Sequence, residues 1–474
     1  MQLEQLMSLF CPSYQERPGA ACVPVEELEM DARQPVRNLG SHRASRRTVL
    51  KRSGQLGAVV TGVAASGGIG SIIASAKAPA VLQDNAPSGK VRFLVYGEAA
   101  EDQPVHQAFM TMYPEVELEV VGIPGGSWAN FADAVTTRIA GGEQFDVVQI
   151  ATEGQRLFAS RGMIQPIDEL LERDAEEVEG LLADFHPNLI EWCNTLSSPD
   201  GQTYFLPGEF NTMAIWYNSE VFANAGVAEP ESGWTWEQFL ETAQGLTKPG
   251  EVYGMHVPEA YFASVMPWLL NNGASPLSAD WTEATVNTPE AIEAATFMRQ
   301  LVAEEISPQP GGEFDAFQAV GNGQLAMVGG GQWPRPSFAE MEVLDKIKIV
   351  PFPVKAQPGS PIGWNSYPIL KSTQNLEAAW ALSKFYASAE AAKNLQYQTA
   401  AQRSIAKSDE YLNAGPEGIG FLYDALDFAT PVPGPDQGSI IQQDIEDTFA
   451  QILVGNLEPE AALNDLNLKI QSNL

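Results

Sequence analysis

Histidine and cysteine are nearly absent from these 474 residues, at four and three respectively. His106, His186 and His256 stand far apart, without metal-ligand spacing, and neither His-Glu-x-x-His nor Gly-x-Ser-x-Gly occurs. Zinc hydrolysis and nucleophile-elbow chemistry are therefore disfavoured, and no metal or cofactor is expected. Cys11 and Cys22 precede a segment read below as removed, which leaves Cys193 alone and no internal disulfide in the mature chain. Nothing around Glu191-Trp192-Cys193-Asn194 would activate that thiol, so it reads as packed. Basic side chains are also in deficit, 27 Lys and Arg against 60 Asp and Glu, for a formal net charge of −33. Such a surface repels phosphate backbones and anionic headgroups, which disfavours nucleic-acid and membrane-surface partners. It leaves open an acid-lined pocket for a cationic ligand.

What is present is ordinary for a packed protein: 44% apolar and 18% charged residues, so disorder is not expected beyond the N-terminus. The length exceeds what one core usually serves, and two lobes are the default.

The N-terminus reads as an address. Ser45-Arg46-Arg47-Thr48-Val49-Leu50-Lys51 precedes a weakly apolar stretch from Leu56 to about Ala74, then the small-x-small sequence Ala74-Ser75-Ala76. That order is a signal peptide's, and Arg46 and Arg47 resemble the twin-arginine export signal, with Val49 where Phe is usual. A retained membrane anchor is the alternative, opposed by five glycines between Gly57 and Gly70. No Cys follows the stretch, so no lipid attachment is expected. The long extension before Ser45 suggests translation from Met30. The expectation is residues 1–76 as extension and signal, and 77–90 as a flexible leader.

Beyond residue 90, hydrophobic periodicity alternates between two and 3.6. A strand is predicted over Val91–Tyr96, a helix over 101–112, a strand over Val116–Val121 and a helix over Trp128–Ala140. A third strand over Asp146–Ile150 then leads to a helix ending near Arg161. Alternating strands and helices imply right-handed crossovers and a mainly parallel sheet, with ligands beyond the strands' carboxyl ends. Thr235-Trp236-Glu237-Gln238 reads as a capping box and Thr288-Pro289 as a helix start. Further helices are predicted around 312–320, 375–387, 389–399 and 459–472.

Several segments, in order, resemble the extracellular solute-binding proteins of ATP-driven importers, the large maltose-binding-like family. They are the strand opening Val91–Glu98, the strand from Asp146, and Gly162-Met163-Ile164-Gln165-Pro166-Ile167. Tyr204-Phe205-Leu206-Pro207, Trp216-Tyr217-Asn218-Ser219-Glu220-Val221-Phe222 and Trp234-Thr235-Trp236-Glu237-Gln238-Phe239 follow. Gly323-Gln324-Leu325-Ala326-Met327 through Gly330-Gly331-Gln332-Trp333, then Ala378-Ala379-Trp380-Ala381-Leu382-Ser383-Lys384-Phe385, complete the series. The resemblance implies an α/β, two-lobed periplasmic-binding-protein fold (type II), each lobe a mainly parallel sheet flanked by helices. Lobe one would take 91–208 and 364–410, lobe two 213–360 and 411–474. The hinge would fall near Gly208–Thr212, Gly359–Gly363 and Asn413–Gly418.

The function so implied is non-enzymatic capture of a sugar, mono- or oligosaccharide, and its delivery to a membrane permease of an ABC importer. The chain would be a periplasmic or extracytoplasmic monomer, exported through the twin-arginine translocon. Sugars need flat aromatic surface and polar partners for their hydroxyls. Matching family positions gives Glu98 and Glu153 at strand ends, Asn211, the cluster Glu259, Tyr261 and Phe262, a stacking Trp333, and Trp364 with Asn365. Trp128 and Arg403 are further candidates. Ile150 stands where the maltose-binding relative has an aromatic platform, so maltose is not implied. Trp216, Trp236 and Trp380 lie within helix or strand patterns and belong to the core. Glu98 and Glu153 have an alternative reading as helix-start acids. Two rivals remain: a polyamine or other cation in the same fold, and, more remotely, a carbohydrate-active enzyme.

Overall fold

The computed structural model describes residues 86–474 other than 100–102, 125, 312–313 and 396. The extension and signal over 1–76, Arg46 and Arg47 included, and leader residues 77–85 lie outside the described residues.

The first sheet follows the predicted alternation. β1 (Gly89–Tyr96) pairs in parallel with β2 (Val116–Ile123) on one side and β3 (Val147–Val148) on the other, in the order β2-β1-β3. The intervening helices α1 (Pro104–Met112) and α2 (Trp128–Ala140) bury Val105 and Phe109, and Phe131 and Val135, as 3.6-residue spacing requires. The expected strand over 146–150 divides at Gln149, whose side chain accepts the Tyr96 backbone N–H at 3.2 Å. Beyond it, β4 (Ile150–Ala151) leaves the first sheet and pairs with a distant strand. Helix α3 (Thr152–Ser160) starts immediately after.

Two longer strands run side by side across the molecule. β5 (Pro207–Thr212) lies antiparallel to β10 (Ser360–Ser366), with Phe210 opposite Trp364 and Asn211 opposite Gly363. β10 also pairs with β4 and, in parallel, with β11 (Ala429–Pro431). A third sheet has the order β7-β8-β6-β9, from β6 (Ala214–Asn218), β7 (Tyr253–His256), β8 (Leu325–Gly330) and β9 (Ile347–Val350). In it β7 and β8 are parallel, but β6 runs antiparallel to both β8 and β9, which corrects the mainly parallel sheet expected for the second lobe.

Three clusters of buried apolar side chains form around these sheets. One joins Val91, Phe93 and Phe109 to Phe210, Trp364, Trp380 and Phe385, with Tyr423 and Leu426 added from far along the chain. A second joins Met213 and Trp236 to Trp268, Met298, Phe352, Ile445 and Phe449, and a third packs Trp216 on Phe338. The tryptophans assigned to the core, Trp216, Trp236 and Trp380, are buried.

The cap signals act as expected. Before α5 (Trp236–Leu246), Gln238 N–H donates to Thr235 Oγ1 at 3.3 Å and Thr235 N–H to Gln238 Oε1 at 2.8 Å. Before α6 (Pro289–Ala303), Thr288 Oγ1 accepts from Ala291 N–H at 3.3 Å. Here α4 denotes Pro187–Thr195 and α7 Leu376–Tyr386, the latter inside its predicted bounds. Two predictions need correction. The helix expected over 389–399 spans only Ala389–Lys393, because Thr399 exchanges backbone hydrogen bonds with Phe210 at 2.8 and 3.1 Å and must be extended there. The helix expected near 312–320 starts at Ala316 and ends at Gly321. A helix the sequence reading did not place, α8 (Gly438–Leu453), is followed by α9 (Pro459–Asn473).

Candidate functional site

Strand alternation decides which side chains β10 offers. Ile362 and Trp364 point into the first core, while Gly363 faces the other way, where a Cβ would lie 3.6 Å from the Phe262 ring. Trp364 is fully buried and stacks on Trp192 of α4 with ring centroids 6.2 Å apart. Its assignment to ligand stacking is therefore corrected: the ring fills the core, and its backbone positions the site. Trp364 N–H donates to Thr152 Oγ1 at 3.0 Å, and its carbonyl accepts from Gln155 Nε2 at 3.1 Å, which fixes the start of α3.

That start carries Glu153. Across from it runs the chain that enters α8, so close that a Cβ on Gly434 would lie 2.4 Å from the Thr152 carbonyl oxygen. A Cβ on Gly438 would lie 3.4 Å from the Glu153 carbonyl oxygen. Gln442 and Glu446 follow Gly438 at four and eight residues, on the same helix face. Glu446 Oε1 accepts from Gln442 Nε2 at 3.1 Å and from the Tyr261 backbone N–H at 3.0 Å. Tyr261 opens a π-helical turn, Tyr261–Val265, that leads into the helix Met266–Asn271.

Glu153 is 7% exposed, Tyr261 2% and Gln442 8%. Among the described residues, Glu153 Oε2, Tyr261 OH and Gln442 Oε1 are buried and find no hydrogen-bond partner. Buried polar atoms are ordinarily paired, so three neighbouring orphans mark a place where a bound molecule supplies the partners. Burial pushes the Glu153 carboxyl up to about 7, a backbone hydrogen bond opposes the rise, and the charge of Glu446 adds to it. Burial, with the charges of Glu153 and Glu446, likewise raises the Tyr261 phenol. Tyr96 is raised by burial and then by Glu153.

Aromatic faces flank the polar groups. Half-buried Trp128 stacks on Tyr96 at 4.4 Å, and half-buried Trp333 lies 6.0 Å from Phe262. Asn211 Oδ1 accepts from Gln332 N–H at 2.9 Å, beside Trp333 in the chain, and its Nδ2 donates to the Tyr397 carbonyl at 3.4 Å. Glu259 is half-buried two residues before Tyr261.

Of the predicted site residues, Glu153, Tyr261, Phe262 and Trp333 are thus drawn together around Gly363, with Trp128 beside them through Tyr96 and Asn211 through the Gln332 turn. Asn365 is 5% exposed and its amide is committed to Glu209. Glu98 is exposed on the loop after β1. Arg403 is exposed at the start of a short helix, its backbone N–H on the Asp184 carbonyl at 2.8 Å, outside this group. Cys193 is buried and its thiol is pushed well up by burial, as a packed residue should be. The sequence reading missed Tyr96, Gln442, Glu446 and Glu209. Among the described residues, no group of three or more His, Cys, Asp or Glu side chains could hold a metal, and no helix is long and apolar enough to cross a membrane.

Two α/β bodies joined by crossing strands, with orphaned polar groups and aromatic faces where they meet, are the architecture of a solute-capturing protein. Residues 96–393 match the bacterial extracellular solute-binding proteins, and the chain belongs to that family. Proteins of this kind bind small solutes and deliver them to the permease of an ABC importer. A binding-protein homologue of Brucella abortus (strain 2308) is 26% identical over 418 residues, 83% of this chain and 95% of its own length. The arabinooligosaccharide-binding protein of Halalkalibacterium halodurans is 26% identical over 41% of this chain and 44% of its own. Among solved structures, the ABC substrate-binding protein of Listeria monocytogenes in complex with cycloalternan superposes with a TM-score of 0.71 at 22% identity. That match covers 81% of this chain and 99% of the other. The maltose-bound MalE3 of T. maritima gives 0.69 at 19% identity over 81% and 100%. The expected two-lobed α/β fold is thereby shown.

Proposed function

We propose that the chain captures a sugar or polyol between its two lobes and hands it, chemically unchanged, to the permease of an ABC importer. The observation that carries this reading is the set of orphaned acceptors, Glu153 Oε2, Tyr261 OH and Gln442 Oε1, buried beside the rings of Trp128, Phe262 and Trp333. Hydroxyls would satisfy the former, and the apolar faces of a sugar ring would stack on the latter. The cycloalternan, maltose and arabinooligosaccharide ligands of the relatives point the same way.

Lobe one over 91–208 and 364–410, and lobe two over 213–360 and 411–474, are supported by their separate cores. Tyr423 and Leu426 pack with the first core, which moves part of that last segment across. Closure about β5 and β10 on the solute would be driven by tighter binding to the closed form, the form the permease reads. The protein works as a monomer outside the cytoplasm, reached through the twin-arginine signal at Arg46 and Arg47.

Titration calorimetry of the mature protein against neutral mono- and oligosaccharides, alditols and their amino-substituted counterparts tests the reading. A saturable heat with one of them, and no change in that ligand on recovery, is expected. Failure of every carbohydrate to bind, or hydrolysis of one that does, sinks it.

A further inference from the structure

The groups left open in the cleft are unbalanced in a way that a hydroxyl does not correct. Gln442 Oε1 and, once ionised, Glu153 Oε2 only accept hydrogen bonds, and Tyr261 OH accepts or donates. Gln442 has already committed its amide nitrogen to Glu446, which leaves its buried oxygen as an acceptor to be filled. Glu153 arrives from α3 and Glu446 from α8, so the packing of α8 against α3 brings two carboxylates from the two sides within reach of each other's charge.

Among the described residues neither carboxylate forms an ion pair. The nearby cations are engaged elsewhere. Arg156, one turn along α3, faces Asp436 at 3.7 Å and the carbonyls of Leu196 and Ser198 at 3.3 Å. Lys469 of α9 takes Asp444, on another face of α8, at 2.6 Å. The remaining titratable groups about Glu153 are phenols, Tyr96 from β1 and Tyr261 from the π-turn. A purely hydroxylic ligand would leave the buried Glu153, once ionised, beside the half-buried Glu446 without a counter-charge, whereas one ammonium group supplies a charge and three N–H donors at once.

We infer that the solute carries a protonated amino group, as an amino sugar or amino alditol does, held between Glu153 and Glu446 with Tyr261 OH and Gln442 Oε1 as further acceptors. This rests on the carbohydrate reading and narrows it. The rings of Trp128, Phe262 and Trp333 hold the carbon skeleton, and the carboxylates select the nitrogen.

Matched probes separate the two levels of the claim. Glucosamine against glucose, deacetylated chitobiose against cellobiose, and glucamine against glucitol are titrated into the mature protein at pH 7. In at least one pair the amino member binds at least tenfold more tightly, and its advantage shrinks between about 20 mM and about 500 mM salt. Its affinity rises from pH 5 toward pH 7 as Glu153 ionises, the opposite of what a hydroxyl resting on the protonated acid would show. Glu153→Gln and Glu446→Gln each weaken the amino member at least tenfold. Both changes are isosteric, and in Glu446→Gln the side-chain amide oxygen can still accept the Tyr261 N–H. A neutral member that binds as tightly as its amino twin, or an amino affinity unmoved by Glu153→Gln, overturns the inference and leaves the carbohydrate reading standing. If no member of any pair binds, both fall.

Discussion

Asn365 Nδ2 donates to Glu209 Oε1 at 2.9 Å, a side-chain link between the two strands that pass from one core to the other. Tyr367 OH donates to the same oxygen at 2.5 Å, and its ring stacks on Tyr386 at 3.7 Å. Burial raises the Glu209 carboxyl, while Tyr367, Asn365 and Gln149 as donors pull it down. Asn365 thus ties β10 to β5. Asn365→Ala should remove about 1.5–3 kcal/mol in urea unfolding, since a buried carboxylate loses a donor. Ligand affinity should change less than threefold; a collapse of affinity at full stability would return Asn365 to the ligand shell.

Much of this was written in local patterns. The alternation of Val116–Ile123, the stripe of Trp128–Ala140 and the Thr235 capping box each act within a few residues, so a linear reading finds them. Glu153 was legible as an acid at the carboxyl end of a strand, and Tyr261 only through the resemblance of Glu259, Tyr261 and Phe262 to a family cluster. Helix α8 was not. It opens on Gly438 with no side-chain cap, behind Pro433-Gly434-Pro435, although Ile441, Ile445, Phe449 and Ile452 carry the helical period. Missing that helix hid Gln442 and Glu446. Trp364 failed for a different reason: a Gly-rich approach looks like a loop, but pairing with β5 makes the segment a strand and period two turns the ring inward.

The two loop-like tryptophans should therefore part company under mutation. Trp364→Ala empties a fully buried site against Trp192 and should destabilise by about 3–5 kcal/mol. Trp333→Ala removes a half-buried ring beside Phe262 and should change stability by about 1 kcal/mol, yet weaken ligand binding at least tenfold. Denaturant curves and calorimetry on both variants check the contrast. Equal losses of stability would place Trp333 in the core as well.

The raised Glu153 carboxyl makes the empty protein's stability depend on pH with a definite sign. Below about 4.5, its ordinary value, the acid is protonated in both folded and unfolded chains and contributes nothing. Between there and about 7 the folded chain keeps a proton the unfolded chain has released, so stability falls as pH rises. Above 7 the full penalty, on the order of 3 kcal/mol, is present. Glu153→Gln should accordingly melt about 3 °C above the parent at pH 8 and with it at pH 4. A variant less stable than the parent at pH 8 would mean the carboxylate has a counter-charge in the empty cleft.

Cys193 offers a test of the fold and of export together. It is 5% exposed, packed in the first core beside Trp364, and burial raises its thiol well above the ordinary value, so little thiolate forms and little reagent reaches it. The folded mature protein should show no rapid reaction with a thiol-disulfide reagent, and one equivalent on unfolding. A chain that retains residues 1–76 carries Cys11 and Cys22 as well, and should release three equivalents on unfolding. Counting thiols in protein recovered from outside the cytoplasm therefore reports whether the first residues persist: three shows the extension retained, and one is expected after cleavage or after translation from Met30, which intact mass separates. Rapid labelling of the mature folded form would contradict the packing of α4 against β10.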